Sequence, residues 1–165
     1  MIKLNKKVSI IIPCFNEKKT LKSLILKIHK QKNIKKEIIL VDDFSTDGTR
    51  ELIKNFKNKL LSKILLHSKN KGKGACIKTA KKYIKGDIVI IQDADLEYNP
   101  KDYSKLIKPI LEKKYQVVYG SRVLGKYRYT LNTFSSIYRI FFNHMLTIFS
   151  NLINNQKLTD ANTCY

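Results

Sequence analysis

The apolar positions of the chain alternate between short β-branched runs and longer amphipathic stretches. Val8–Ile12 is apolar at every position but Ser9 and stops at Pro13, which predicts a buried strand. Thr20–Gln31 follows with Leu21, Leu24, Ile25 and Ile28 at helical spacing. Glu37–Val41 predicts a second strand, and Thr46–Phe56 a helix with Leu52, Ile53 and Phe56 on one face. Ser62–Leu66 is a weaker third strand and Ala75–Ile84 the next helix. Asp87–Ile91 predicts a fourth strand, Pro100–Lys113 a helix with proline in its first turn, and Val117–Tyr119 a short fifth strand. Near-continuous Val/Ile strands interleaved with helices indicate a parallel sheet covered on both faces. The expected architecture is therefore a doubly wound, mostly parallel α/β domain. No repeat or Ser/Gly linker divides it, and everything up to about Tyr119 reads as one unit.

Beyond Arg122 the pattern changes. Residues 124–130 (LGKYRYT) form a basic, aromatic loop, and Leu131–Ile153 predicts one long helix. Ile137, Phe141, Met145, Ile148 and Leu152 share a face, widened by Tyr138, Phe142 and Phe149. The opposite face carries Asn, Ser and Thr with almost no charge. That pattern suits a core or dimer helix, and equally a helix lying in a membrane interface.

Composition narrows the class. A chain of 165 residues with 43% hydrophobic residues can bury about 70% of its unfolded surface, which excludes a disordered tail or a small disulfide-stapled module. Cys14, Cys76 and Cys164 are far apart and show no C-x-x-C spacing, so they read as reduced thiols of a cytosolic protein. The first apolar run lasts only six residues and no run reaches 18, so neither a signal peptide nor a membrane-spanning helix is expected.

The net charge of +20 predicts attraction to polyanions: nucleic acid, an anionic membrane or phosphorylated small molecules. Arg, however, occurs only at positions 50, 122, 128 and 139, so Lys supplies the other 29 of the 33 basic residues. Lys is a hydrated point charge, whereas Arg is the usual reader of base edges. The lysines are spread along the whole chain, as on a solvated surface, and no nucleic-acid partner is expected.

The 13 acidic residues are more informative. Asp42, Asp43 and Asp47 follow the second strand, Asp93, Asp95 and Glu97 follow the fourth, and Glu17 lies just past the first. In a doubly wound sheet the carboxyl ends of the strands line one edge, where ligands bind at the point of reversed strand order. Seven carboxylates are thus expected on one crevice of a very basic protein. Two like charges 4 Å apart repel by about 4 kcal/mol at an effective dielectric near 20. A divalent cation relieves that repulsion, and hard Mg²⁺ or Mn²⁺ takes carboxylates without His or Cys. His29, His67 and His144 are scattered and offer no zinc spacing. Asp47 before Gly48 and Asn99 before Pro100 also read as turn or cap residues.

Asn70-Lys71-Gly72-Lys73-Gly74-Ala75 precedes the third helix, and such a loop can meet phosphates or let the backbone approach a ligand. It is not a Walker loop, because His67 stands where the first Gly belongs and Gly74 where Ser or Thr does.

Taken together, Val8-Ser-Ile-Ile-Ile-Pro-Cys-Phe-Asn-Glu17, Val41-Asp-Asp-Phe-Ser-Thr-Asp-Gly-Thr49, Asn70–Gly74, Asp93-Ala-Asp-Leu-Glu97 and Gly120-Ser-Arg122 resemble, in order and spacing, the family 2 glycosyltransferases. Within them the chain most resembles the dolichyl- or polyprenyl-phosphate sugar transferase branch. The resemblance implies a GT-A fold, a UDP- or GDP-sugar donor and bound Mg²⁺ or Mn²⁺. It implies that Pro13, Phe15, Glu17 and the pair Asp42/Asp43 hold the nucleoside, with Lys73 beside the phosphates. Asp93 and Asp95 would be the D-x-D motif for metal and diphosphate, with Glu97 as an added ligand. Arg122 would contact phosphate of donor or acceptor, and Asp160 falls in the acceptor-side motif as the candidate base. Residues 1–121 would bind nucleotide sugar and metal, and 122–165 the acceptor, a lipid phosphate or a saccharide. The expected location is cytoplasmic and peripheral on an anionic membrane.

Two departures affect these implications. Relatives of that branch often read Thr-Asp-Pro with a following Gly-Phe pair, where this chain has Thr159-Asp-Ala-Asn-Thr-Cys-Tyr165. The chain also stops inside that motif, which points to a truncated protein and leaves open a nucleotide-binding domain without turnover.

Overall fold

The computed structural model describes residues 6–56, 60–121 and 134–161. The chain forms two compact units, Met1–Ser104 and Lys105–Tyr165. The first holds four strands, β1 (Val8–Cys14), β2 (Lys36–Asp42), β3 (Lys63–Leu66) and β4 (Ile88–Ile91), in the order β3-β2-β1-β4. Every pairing is parallel, with Pro13 opposite Val41 and Ile11 opposite both Ile39 and Ile91. The chain runs outward from β1 through β2 to β3, then returns to lay β4 on the other side of β1. Strand order therefore reverses between β1 and β4, as expected of a doubly wound sheet. Among the described residues Val117–Tyr119 is no strand: Val117 is 66% and Tyr119 47% exposed. Three residues make too short a ladder to offset their ordering entropy without a buried face.

All seven residues of β1 are buried, so side chains on both pleat faces are covered. Helix α3 (Lys73–Ala80) covers one face, packing Cys76 and Ala80 on Ile11, Ile39 and Val41. Helix α1 (Leu21–His29) buries Leu21, Leu24, Ile25 and Ile28, each worth roughly 1.5–3 kcal/mol in transfer free energy. Helix α2 (Thr49–Lys54) is shorter than its apolar pattern predicts, because Gly48 at φ +92° precedes its first turn. The buried Ser9 is satisfied: its hydroxyl donates to Glu37 Oε1 at 2.5 Å and accepts from the Gly86 amide at 2.9 Å. A Cβ on Gly86 would lie 2.6 Å from the Ser9 nitrogen, so that turn requires glycine.

Helix α4 (Tyr103–Leu111) crosses the boundary between the units in sequence, after a single 3-10 turn at Pro100–Asp102 capped by Asn99. The second unit is built on α5 (Phe134–Asn154). Asn155, in the left-handed conformation at φ +49°, ends it. The following residues return along its polar stripe. Asn151 and the backbone of Leu158 bond reciprocally at 2.9 Å, and the Ala161 amide donates to Thr147 Oγ1 at 3.1 Å. Thr147 is buried by this return, while Phe141, Phe142, Met145, Ile148, Phe149 and Leu152 are all exposed. The helix thus buries polar groups and exposes its apolar face. No helix of the described residues is long and apolar enough to cross a membrane.

Candidate functional site

Parallel pairing continues past the strand ends. The Asp43 amide donates to the Cys14 carbonyl, His67 to Asp42, and Gln92 to Ile11, at 2.8–2.9 Å. These bonds bring the segments after β1, β2, β3 and β4 to one edge of the first unit. At the switch point lies an open cavity of about 220 Å³ lined by Pro13, Cys14, Phe15, Glu17, Asp43, Lys73, Cys76, Asp93, Ala94 and Asp95. Seven residues singled out from the sequence meet there: Pro13, Phe15, Glu17, Asp43, Lys73, Asp93 and Asp95. Asp42 and Glu97 do not line it.

The reason for Asp42 is the strand pleat, which sends successive side chains to opposite faces. Asp42 is fully buried and pairs through Oδ2 with Arg50 Nε of α2 at 2.6 Å and the Ser45 amide at 3.2 Å. Its Oδ1 has no partner among the described residues. Arg50 also donates to the His67 carbonyl and lies over the Phe44 ring at 5.0 Å. Asp47 acts as a cap, accepting from Thr49 N at 3.0 Å and Lys18 N at 3.1 Å.

Asp43 forms the floor of the cavity. His67 Nδ1 donates to its Oδ1 at 2.7 Å, Lys71 N to Oδ1 at 2.9 Å, and Gly72 N to Oδ2 at 2.7 Å. Gly72 has φ +83°, a conformation open to glycine, where the chain turns into α3. Burial alone would push this carboxyl up, but the bonds from His67, Lys71 and Gly72 outweigh it and hold it below the usual carboxylate range. Burial, and then the charge of Asp43, pushes the Cys76 thiol up to about 11; Cys14 shifts the same way. Asp43, His67 and Cys76 present ligand-type atoms within 4.8 Å of one another. With the His67 ring and the amides of Lys71 and Gly72 bonded to Asp43, the cluster forms a hydrogen-bonded floor. Nothing in the spacing of the three histidines marks His67; only the topology brings it to this edge.

The acids after β4 are built differently. Asp93 is partly exposed, and Lys73 Nζ lies 2.6 and 2.8 Å from its two oxygens. Asp95 is exposed and accepts the Glu97 amide at 3.0 Å; Glu97 is also exposed. A side-chain ammonium therefore already stands as a cation on Asp93, and the neighbouring donors are carboxylate oxygens. That set fits a hard divalent ion. Glu17, at the mouth, accepts the Thr20 hydroxyl, and its amide donates to Thr49 Oγ1 at 3.0 Å.

Residues 9–164 match the sequence family described as Glycosyl transferase family 2. The chain belongs to glycosyl transferase family 2. It is 34% identical over 117 residues to the dolichol-phosphate mannosyltransferase of Pyrococcus furiosus, covering 70% of this chain and 33% of that protein. It is 37% identical over 118 residues to the undecaprenyl-phosphate 4-deoxy-4-formamido-L-arabinose transferase of Yersinia enterocolitica, covering 68% and 36%. The fold is similar to the mannosyltransferase PcManGT of Pyrobaculum calidifontis, solved with GDP-Man and Mn²⁺, at TM-score 0.51 and 29% identity over 55% of this chain and 28% of that one. The chain spans a third to a half of the length of the curated relatives it matches. The doubly wound, mostly parallel architecture is thus the GT-A glycosyltransferase fold.

Asp160 lies in the second unit and is buried beside the returning segment, with the Thr159 hydroxyl donating to Ser121 Oγ at 2.9 Å. Arg122 lies outside the described residues.

Proposed function

We propose that the switch-point cavity binds a nucleotide-diphosphate sugar with a divalent cation, and that the protein transfers the sugar to a polyprenyl phosphate. One observation carries this reading: a cavity with a buried, fastened carboxylate on its floor, a partly exposed Asp93 paired with Lys73, and an exposed Asp95 two residues on. Asp43 accepts a hydrogen bond from the nucleoside, with Phe15 exposed as an apolar wall and Pro13 and Glu17 completing the pocket. Asp93 and Asp95 would hold Mg²⁺ or Mn²⁺, with Glu97 as a further ligand. Lys73, released from Asp93, would meet the diphosphate. A cation bound there would neutralise charge developing on the departing diphosphate, at a scale of several kcal/mol.

Transfer breaks the bond between the anomeric carbon and the diphosphate oxygen, which leaves with the electron pair. An acceptor oxygen forms the new bond from the opposite face, inverting the centre. A phosphate oxygen is already nucleophilic and needs placement more than a base, a role assigned to Arg122. A hydroxyl acceptor needs a base, for which Asp160 is the candidate. Membrane lipid as the source of acceptor is supported by α5, which turns its apolar face outward and its polar stripe inward. A peripheral position on an anionic bilayer also suits the net charge of +20, at about 1 kcal/mol per lysine reaching the surface.

The test is turnover of UDP- and GDP-sugars with Mn²⁺ and polyprenyl phosphate in anionic vesicles. Lipid-linked sugar is expected, and Asp160→Asn is expected to retain its rate within about threefold, because a phosphate acceptor needs no base. Nucleotide binding without any product would support a domain that has lost turnover. A hundredfold loss in Asp160→Asn, with the variant folded, would indicate a hydroxyl acceptor.

A further inference from the structure

His67 is absent from the cavity lining and is almost fully buried, yet both its ring nitrogens are engaged. Nδ1 lies 2.7 Å from Asp43 Oδ1, and Nε2 lies 3.0 Å from Thr79 Oγ1 on α3. Asp43 is held below the usual carboxylate range and so only accepts. The Nδ1 nitrogen must then carry the proton, and in the neutral ring Nε2 accepts from the Thr79 hydroxyl. The carboxylate thereby sets the ring tautomer, Thr79 anchors the far side of the ring, and the ring orients the carboxylate.

A carboxylate offers about four lone-pair sites. The His67 ring and the amides of Lys71 and Gly72 fill three, two on Oδ1 and one on Oδ2. The thiol of Cys76 is a weak donor beside them. The Cys76 bond to this carboxylate is the weak one of the four, and because Asp43 lines the cavity a ligand N–H or O–H can displace it. The direction of the acceptor is set by what fastens Oδ1. An unfastened carboxylate could turn about its χ2 torsion, which is broad for an sp² end group.

We propose that His67 is a positioning residue for the donor nucleoside: it fixes the rotation of Asp43, with Thr79 anchoring the ring, so that the carboxylate presents a directed acceptor to a base N–H or ribose O–H. This rests on the assignment of Asp43 to the nucleoside made above. The effect belongs to the nucleoside end of the ligand and leaves the diphosphate end, at Lys73, Asp93 and Asp95, unchanged.

The experiment is calorimetric titration of the full chain with UDP, GDP and, separately, inorganic pyrophosphate, each with Mn²⁺. His67→Ala is expected to weaken the better nucleotide about tenfold and leave pyrophosphate within twofold. His67→Asn, whose side-chain amide reaches the place of Nδ1, restores nucleotide affinity to within about threefold. His67→Gln, whose amide falls nearer Nε2, does not. Thr79→Val, which removes the anchor on Nε2, costs about twofold to threefold. Melting temperatures of the His67→Asn and His67→Gln variants separate folding from positioning, since a structural role alone would make affinity track stability. Equal nucleotide affinity in wild type and His67→Ala overturns the inference and leaves the nucleotide site standing. Equal losses for nucleotide and pyrophosphate also overturn it. A wild-type chain that binds neither nucleotide overturns the site assignment itself, and this inference with it.

Discussion

The acids that follow β2 and those that follow β4 reach the same sheet edge and are built in opposite ways. After β2, Asp42 is locked to Arg50, Asp43 is held by a ring and two amides, and Asp47 caps the turn into α2. After β4, Asp93 holds one lysine, and Asp95 and Glu97 lie exposed. The first set has its hydrogen bonds supplied by the protein and so fixes the shape of the site. The second keeps oxygen atoms available for something that arrives. Position on a fold's ligand edge is therefore not enough to assign a role; the degree of saturation separates floor from ligand.

The largest effect should come from the available set. Asp95→Ala is expected to cut sugar transfer about a thousandfold, the scale of a lost charge-neutralising cation, while the melting temperature stays within about a degree. Initial rates and a thermal melt check both halves. The fastened set should respond in the opposite manner. Asp42→Ala leaves Arg50 without its buried partner and is expected to lose about 3 kcal/mol of stability, read as a urea midpoint shift at unchanged slope.

Lys73 sits between the two sets. Its ion pair with Asp93 is partly exposed and worth at most about 1 kcal/mol. Lys73→Met is expected to bind Mn²⁺ alone about threefold to fivefold more tightly, because a competing cation is gone. The same variant should bind pyrophosphate with Mn²⁺ more weakly, and opposite signs in two titrations are hard to produce by damage to the fold.

The smallest effect is a pH dependence confined to fastened carboxylates. Burial pushes Glu37 up, but bonds from Lys7, Ser9 and the Lys85 amide outweigh it, so its folded-state carboxyl lies below the usual range, as does that of Asp43. A folded-state value below the unfolded one contributes stability at pH above about 4 to 5, and that contribution is lost as pH falls further. Melting temperature should decline below about pH 4, and less steeply in Glu37→Gln.

Much of this was legible in the sequence. The four strands lie within two residues of their β-branched runs, because a buried parallel strand must be apolar on both faces. The cavity gathers seven of the residues expected there, since the segments past parallel strands meet at the ligand edge, although Asp42, Asp47 and Glu97 do not line it. Helix ends were less legible. The Ala75–Ile84 pattern misses that α3 begins at Lys73, because glycine at 72 and 74 lowers the apparent helix propensity of that turn. Asp42 and Asp43 are indistinguishable as letters, and only register on β2 decides which one faces the cavity. His67 is illegible for the same reason: its partners are 24 and 12 positions away in the chain and meet it only in the folded state.

In the proposed reading the β4 acids take a cation that the donor diphosphate shares, while the β2 acids shape the pocket. The most direct measurement is titration of GDP and UDP with and without Mn²⁺ into wild type, Asp95→Ala and Asp42→Asn. Wild type is expected to bind in a Mn²⁺-dependent way, Asp95→Ala to lose that binding, and folded Asp42→Asn to keep it. Mn²⁺-dependent binding that persists in Asp95→Ala, or disappears in folded Asp42→Asn, would contradict that reading.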